Sequence, residues 1–311
     1  MRIDVHAHYW SDTYLDMLAD LGRTDTGTQR GIGAGGGDEL TARLRLMDRA
    51  GIDVQVLSAA PQLPYSIDTA CAVAAARHVN DEYAGLTHNH PDRFRAFAAT
   101  PLPDVDAAVA EMCRALDDLG MAGVTMTTSV LGRALTDPEF EAVFAELDRR
   151  AAILYLHPVG NAACSPLVAD GHLTWMVGAP FEDTIAAMQL ITSGYLQRYP
   201  AIEIICSHLG GALPMLTRRA DDHVRWEAPD LAEPPSRAAR RLWYDTVSHC
   251  HAPALRCAID TFGADRILLG TDFPYEDGDT FVRAVDYVRQ AASEEDAGRI
   301  LETNAARLFG R

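Results

Sequence analysis

The chain has 311 residues, 48% hydrophobic and 23% charged, a balance that is ordinary for a globular protein with a large core. Its formal net charge of −17 argues against a nucleic-acid partner, because phosphate binding needs clustered lysine and arginine. Six scattered cysteines without a CxxC pair, and the lack of a signal peptide or of a membrane-length apolar run, predict a cytoplasmic protein without a membrane partner.

Short apolar or β-branched runs alternate with longer amphipathic segments along the whole chain, which is typical of strands and helices in alternation. The predicted strands are 3–6, 54–58, 94–100, 123–127, 153–157, 202–207, 242–247 and 267–271. The clearest predicted helices are 39–50, 70–89, 105–119, 138–150 and 254–262. This order predicts an α/β fold in which residues 1–311 form a single (β/α)8 TIM barrel domain. An open doubly wound sheet is the alternative.

A glycine-rich stretch at 31–37 separates the first strand from the first long helix. It matches neither GxGxxG nor GxxxxGK[ST], and no strand leads directly into it, so a nucleotide-binding loop is disfavoured. We interpret the segment at about 22–38 as a flexible connection that acts as a lid.

Potential ligands and proton carriers lie where several predicted strands end. His6 and His8 are two residues apart on the first strand, so their side chains share one face. His157 ends the fifth strand, His208 follows the sixth, and Asp272 follows the eighth. In a parallel barrel these ends meet at one mouth, where barrel enzymes place their active sites. Because buried imidazoles and carboxylates are costly without a partner, the pattern predicts a metal site.

Three imidazoles and one carboxylate suit a divalent ion that keeps an open position for water or substrate. We predict one such ion, with Zn²⁺ expected first and Mn²⁺ as the alternative, held by His6, His8, His157 and Asp272. His208 is predicted to be the neighbouring acid or base. His208 as a fifth ligand, or as half of a two-metal site, is the weaker alternative, since strand 123–127 contains no lysine that carbamylation would convert into a bridge.

The motifs resemble those of the amidohydrolase superfamily, in its branch of aminocarboxymuconate semialdehyde decarboxylase and hydroxybenzoate decarboxylases. The similarity rests on the His-x-His start, His157-Pro158, Ser-His-Leu-Gly-Gly at 207–211 and Gly-Thr-Asp-Phe-Pro at 270–274, and it extends to 47–58 and 175–180. The resemblance implies a metal-dependent, non-oxidative decarboxylase of a small aromatic or unsaturated carboxylic acid. It also implies that the protein is a homodimer. In the reaction, it implies that His208 and Asp272 transfer the proton.

The residues that bind the distal part of the substrate are less clear from the pattern. The resemblance implies an arginine before the first main helix, but 31–37 contains no basic side chain. Arg30, Arg43 and Arg225 are candidates to replace it, Arg225 from a neighbouring subunit, although a solvated surface position is the favoured interpretation for each. We predict substrate contacts for Trp175, Arg225 and His249. An ordinary core aromatic is the alternative for Trp175, and a surface loop for His249.

The same site would also serve a different reaction class. Metal-activated water would hydrolyse an amide, a lactone or an activated C–C bond, or hydrate an alkene. Ligand geometry does not separate these reactions from decarboxylation, because all need an open metal position and an acid/base histidine. A non-catalytic metal-binding scaffold is a third class, and the intact set of proton carriers argues against it.

Overall fold

The computed structural model describes residues 1–32 and 37–310. Eight parallel strands form one sheet in the order β1-β2-β3-β4-β7-β8-β9-β10, and β5 and β6 form a separate antiparallel hairpin. The strands are β1 (Ile3–His8), β2 (Val54–Ser58), β3 (Phe94–Ala98), β4 (Gly123–Thr127), β5 (Ser129–Val130), β6 (Arg133–Ala134), β7 (Ile153–His157), β8 (Glu203–Cys206), β9 (Trp243–Asp245) and β10 (Ile267–Leu268).

The sheet closes on itself between β1 and the segment that follows β10. The Asp272 N–H donates to the His6 carbonyl at 2.8 Å, and the His8 N–H donates to the Phe273 carbonyl at 2.7 Å. Ala7 also pairs in parallel with Phe273. The predicted (β/α)8 TIM barrel is therefore confirmed, and the open-sheet alternative is wrong.

Helices pack around the outside of the barrel, and all five helices predicted from periodicity are present with shifted ends. Two of them have capped first turns, since the Asp68 and Asp104 carboxylates accept from backbone N–H groups of the helices that follow them. The helices are α1 (Asp12–Asp20), α2 (Gly37–Ala50), α3 (Thr69–Asn89), α4 (Val105–Asp117), α5 (Glu141–Arg149), α6 (Pro166–Asp170), α7 (Ala179–Thr192), α8 (Tyr195–Arg198), α9 (Leu213–Glu227), α10 (Pro235–Ala239), α11 (Ala252–Phe262), α12 (Gly278–Ala291), α13 (Glu294–Gly298) and α14 (Asn304–Phe309). Two π-helical turns lie at Thr174–Gly178 and Arg299–Thr303.

Two apolar clusters make up the core. The larger lies between the strands and the surrounding helices, and the smaller fills the barrel interior with inward-facing strand residues such as Phe97, Tyr155 and Trp243. Ala305 and Leu308 of α14 belong to the interior cluster, so this last helix packs against the N-terminal end of the barrel. The N-terminal end of the barrel interior is therefore filled by side chains, and only the C-terminal mouth leaves room for a site.

The first strand is irregular at the point where its histidines begin. Ile3 and Val5 face the barrel interior and Ala7 faces the outer cluster, while the pairing with β2 shifts register between Asp4 and Ala7. A shift of this kind places two consecutive residues on the same side of a strand. His6 therefore follows Val5 inward, and both histidines reach the barrel mouth.

Within residues 1–32 and 37–310, no helix has the length and apolar character needed to cross a membrane. All six cysteines are free thiols. The fold is therefore held by its packed core rather than by covalent cross-links.

Candidate metal centre and active site

Five side chains from the strand ends meet at the barrel mouth. The ring centroid of His6 lies 5.1 Å from that of His157 and 5.0 Å from that of His208. The ligand atoms of His6, His157, His208 and Asp272 all lie within 4.8 Å of one another. The ring of His8 is 4.8 Å from that of His157. The barrel therefore brings together every residue that the sequence predicted as a ligand or proton carrier.

In three of the imidazoles, Nδ1 is hydrogen-bonded to an acceptor on the side of the ring away from the centre. Carboxylates and carbonyl oxygens only accept hydrogen bonds, so Nδ1 is protonated in each ring and Nε2 is left for the centre. The pairs are His6 with Asp245 at 2.8 Å, His208 with Asp183 at 2.9 Å and His157 with the Pro158 carbonyl at 2.9 Å.

His8 is held in a different way. Its Nε2 lies 3.1 Å from Asp272 Oδ1, and its ring stacks on Trp10 with centroids 5.4 Å apart. Its buried Nδ1 has no hydrogen-bond partner in the part of the chain that the structure describes. The compact group of four thus shares three residues with the predicted ligand set and contains His208 where the prediction has His8.

The electrostatics of the centre favour an ionised carboxylate among imidazoles. Burial opposes ionisation of Asp272, yet His6, His208 and His8 hold its pKa well below the usual value. Burial and the neighbouring imidazoles hold the pKa of His157 well below its usual value, and burial lowers that of His8 to about 4. A metal ion binds carboxylate and neutral imidazole, which is the state favoured for these residues.

Two carboxylates favour a positive charge at His6. Burial opposes protonation of this fully buried ring, but Asp245 and Asp272 raise its pKa to about 9. Its Nε2 lies 3.1 Å from Asp272 Oδ1 and makes no hydrogen bond with the described residues. A cation bound between these atoms would satisfy both. By this donor chemistry the residues fit one divalent metal ion.

A cavity of about 600 Å³ opens above these side chains. His157, His208 and Asp272 lie on its surface, and Trp175 and Met176 add apolar walls. This volume is within the range of small-molecule sites.

Of the three predicted substrate-binding residues, two line the cavity and one does not. Trp175 lines the cavity and is 55% exposed, so it is not an ordinary core aromatic. His249 also lines the cavity, and its Nδ1 pairs with the Glu276 carboxylate. Among the described residues, Arg225 does not line this cavity; its guanidinium lies 3.9 Å from the centroid of the Trp226 ring.

The other two candidate arginines have structural contacts. Arg30 pairs at the surface with Asp16 at 2.5 Å. Arg43 is buried, and its Nη2 donates to the His8 carbonyl at 2.6 Å. Arg43 thus supports the end of β1 where His8 lies. Of the glycine-rich stretch, residues 33–36 lie outside the described residues.

Three acidic residues in the site had no assigned role in the sequence. Asp245 was visible in a predicted strand, but its bond to His6 was not. Asp183 and Glu182 belong to α7 and carry no strand-end signal. Glu182 accepts four backbone N–H groups of the loop after β7, from Val159, Gly160, Asn161 and Ala163, at 2.8 to 3.2 Å.

This loop is packed against the cavity wall. A Cβ atom at Gly160, whose φ is +79°, would lie 2.6 Å from the Trp175 ring. Glu182 therefore holds the loop that follows His157 in contact with Trp175.

Glu182→Gln is expected to lower the free energy of unfolding by about 2–3 kcal/mol, because the amide would turn an N–H₂ group toward partly buried N–H donors. Urea denaturation measures the change. Glu139→Gln is the matched control, since the Glu139 side chain is 71% exposed, and its change is expected within about 0.5 kcal/mol. Equal stabilities of the two variants would contradict the role given to Glu182.

The chain is similar in sequence to a known protein family and, in sequence and structure, to individual known proteins. The model of a family described as Amidohydrolase matches residues 3–311. Gamma-resorcylate decarboxylase of Rhizobium sp. is 34% identical over 86% of this chain and 86% of its own length. 6-Methylsalicylic acid decarboxylase of Aspergillus aculeatus is 31% identical over 100% and 96%. A solved dihydroxybenzoic acid decarboxylase of Polaromonas sp. JS666, with bound manganese and the inhibitor 2-nitroresorcinol, has a TM-score of 0.85 and 28% identity over 99% of this chain and 96% of that one.

Proposed function

Because this chain belongs to the amidohydrolase family, in its branch of decarboxylases, we propose that its barrel mouth removes CO₂ without oxidation from a small aromatic acid with a hydroxyl group next to the carboxylate. Two similar decarboxylases are named for 2-hydroxybenzoic acids. The observation that carries the proposal is the convergence of four possible metal ligands within 4.8 Å beneath an apolar cavity of about 600 Å³. The substrate is a small carboxylic acid, and no nucleic acid takes part.

For the metal, we propose His6, His8, His157 and Asp272 as ligands and His208 as the acid. In support, the His208 side chain is 18% exposed toward the cavity, whereas those of His6 and His8 are fully buried. An imidazole-rich donor set favours Zn²⁺ as the resident ion. Mn²⁺ is the alternative, and one similar structure holds it.

When bound, the divalent ion supplies the positive charge that orients substrate oxygens and offsets the charge of the departing carboxylate. Burial opposes protonation of His208, but Asp183 and Asp272 raise its pKa well above the usual value, which favours a ring that also holds a proton at Nε2, as a proton donor requires. This Nε2 lies 3.9 Å from Asp272 Oδ2.

In the proposed reaction, His208 donates that proton to the ring carbon that bears the carboxylate. The electrons of the C–C bond return to the aromatic ring as CO₂ leaves. Asp272 is the second proton carrier: after CO₂ leaves, its ionised carboxylate accepts a proton from solvent and passes it to His208, so each turnover consumes one solvent proton. Trp175 and Met176 pack on the ring of the substrate and exclude water from it.

The test is incubation of the metal-loaded enzyme with hydroxybenzoic and muconate-type acids. We expect CO₂ release and a product lighter by the mass of CO₂. A product heavier by the mass of water would support the hydrolase or hydratase alternative instead. Removal of the metal with a chelator is expected to abolish turnover, and addition of Zn²⁺ or Mn²⁺ to restore it, whereas full activity of metal-free protein would contradict the proposed centre.

We also propose a homodimer and a cytoplasmic location. In support of the dimer, five large apolar side chains between 167 and 185 are at least 45% exposed, and such surfaces are typical of interfaces. These side chains belong to Leu167, Trp175, Met176, Phe181 and Ile185. Light scattering that gives the mass of one chain would contradict the dimer.

The proposed cytoplasmic location is supported by the free thiols, which suit a reducing compartment.

A further inference from the structure

The Tyr275 hydroxyl is a polar group of the cavity with no part in the metal centre. Tyr275 lines the cavity, and its ring packs edge-on against His8, with centroids 5.5 Å apart, and lies 5.9 Å from Trp10. Gln29, which also lines the cavity, donates from Nε2 to the Tyr275 hydroxyl oxygen at 3.1 Å. The direction of this bond decides what the hydroxyl offers to a ligand.

The direction is set by a chain of polar groups that begins at an ion pair. Arg23 binds both oxygens of Asp25, at 3.0 and 2.9 Å. Burial opposes ionisation of Asp25, but Arg23 holds its pKa below the usual value. An ionised carboxylate only accepts hydrogen bonds. Gln62, whose Nε2 lies 3.0 Å from Asp25 Oδ2, must therefore point its amide nitrogen toward that carboxylate.

The same nitrogen of Gln62 also donates to Gln29 Oε1, at 3.2 Å. Because the oxygen of the Gln29 amide faces Gln62, its nitrogen faces Tyr275. Gln29 and Gln62 are 3% and 1% exposed, so neither amide is free to turn over in solvent. The Tyr275 oxygen is thereby committed as an acceptor from Gln29. Within residues 1–32 and 37–310, its own proton has no acceptor among the hydrogen bonds of the structure.

We propose that the Tyr275 hydroxyl donates a hydrogen bond to an oxygen substituent on the aromatic ring of the substrate, and that Gln29 commits it to this direction. The inference rests on the proposed function and deepens it, because it assigns the residue that selects among aromatic acids. A site with a committed donor favours a ring hydroxyl over a methyl group of similar size, since the methyl group would leave the donor unpaired.

The test compares pairs of salicylates that carry either a hydroxyl or a methyl group at the same ring position, from 3 to 6. The pair at position 6 is 2,6-dihydroxybenzoate and 6-methylsalicylate. Turnover gives kcat/KM for each acid. Calorimetry gives Kd for the corresponding phenols, resorcinol and 3-methylphenol for position 6, on the metal-loaded enzyme, so binding is measured without chemistry.

At one ring position we expect the wild-type enzyme to prefer the hydroxyl by about tenfold, the value of one neutral hydrogen bond. Tyr275→Phe is expected to reduce this ratio to about one, chiefly through a higher KM for the hydroxyl compound. Gln29→Glu is nearly isosteric but turns an acceptor toward Tyr275, so the hydroxyl donates to it and the preference is lost as well. Gln29→Met removes the contact but leaves the hydroxyl free, so the preference is kept.

An unchanged hydroxyl-to-methyl ratio in Tyr275→Phe, or in Gln29→Glu, would overturn the inference. Loss of the preference in both Gln29→Met and Gln29→Glu would overturn the directional role of Gln29. If no aromatic acid releases CO₂ with the wild-type enzyme, it is the proposed function that fails, and the ratio of phenol Kd values then decides the role of Tyr275. If Tyr275→Phe does not fold, Gln29→Glu decides it.

Discussion

Asp272→Asn is expected to lose its divalent metal and to lower kcat by about a thousandfold or more. The Asp272 carboxylate lies 3.1 Å from Nε2 of both His6 and His8 and 3.9 Å from that of His208, so it is the anion at the centre of the imidazoles. The amide removes this negative charge. A metal contributes several kcal/mol to such reactions, which corresponds to a thousandfold in rate.

Elemental analysis of the purified variant and turnover with saturating metal measure the two losses separately. Asp279→Asn is the control, because this side chain is 92% exposed and pairs only loosely with Arg49 at 3.6 Å. The control is expected to keep wild-type metal content and kcat. Full metal content in Asp272→Asn would remove this residue from the ligand set.

His208→Ala is expected to keep its metal and to lose about 10²- to 10⁴-fold of kcat, the usual contribution of a positioned acid. His8→Ala is the matched comparison, since both variants remove one imidazole from the same mouth. It is expected to lose the metal, because His8 is a proposed ligand. Metal content and single-turnover rates distinguish the two variants, and melting temperatures show that both are folded.

The opposite pattern would identify a different ligand set. Metal loss in His208→Ala, together with metal retention in His8→Ala, would mean that the compact group of His6, His157, His208 and Asp272 holds the ion. Asp183 would then orient a metal ligand through its 2.9 Å bond to His208 Nδ1 rather than an acid.

The barrel and the catalytic class could be predicted because the responsible signals are local in sequence. Each strand is a short apolar run, and the residues that meet at the mouth directly end or follow these runs. The decarboxylase prediction is confirmed by relatives that are 30–34% identical over most of the chain. Zn²⁺, the homodimer, the ligand set and the lid at 22–38 stay predictions.

The supporting residues could not be predicted because their partners are distant in sequence. Asp183 acts through His208, 25 residues away, and lies on a helix rather than at a strand end. Gln29 and Tyr275 are 246 residues apart, and neither forms a motif with its own neighbours. Arg43 follows a helical pattern like any surface arginine, and only the packed structure shows it buried against β1.

The bond between the Asp272 N–H and the His6 carbonyl joins the two ends of the barrel sheet beside the proposed metal ligands. During synthesis on the ribosome, more than 260 residues must therefore be added after His6 before Asp272, its hydrogen-bond partner, is made. The proposed metal centre would be complete only when the segment after β10 has docked, so a chain that ends before Asp272 would lack one of its proposed ligands. Binding of the ion would then indicate that the barrel has closed, and the ion would stabilise the contact between β1 and the segment that follows β10.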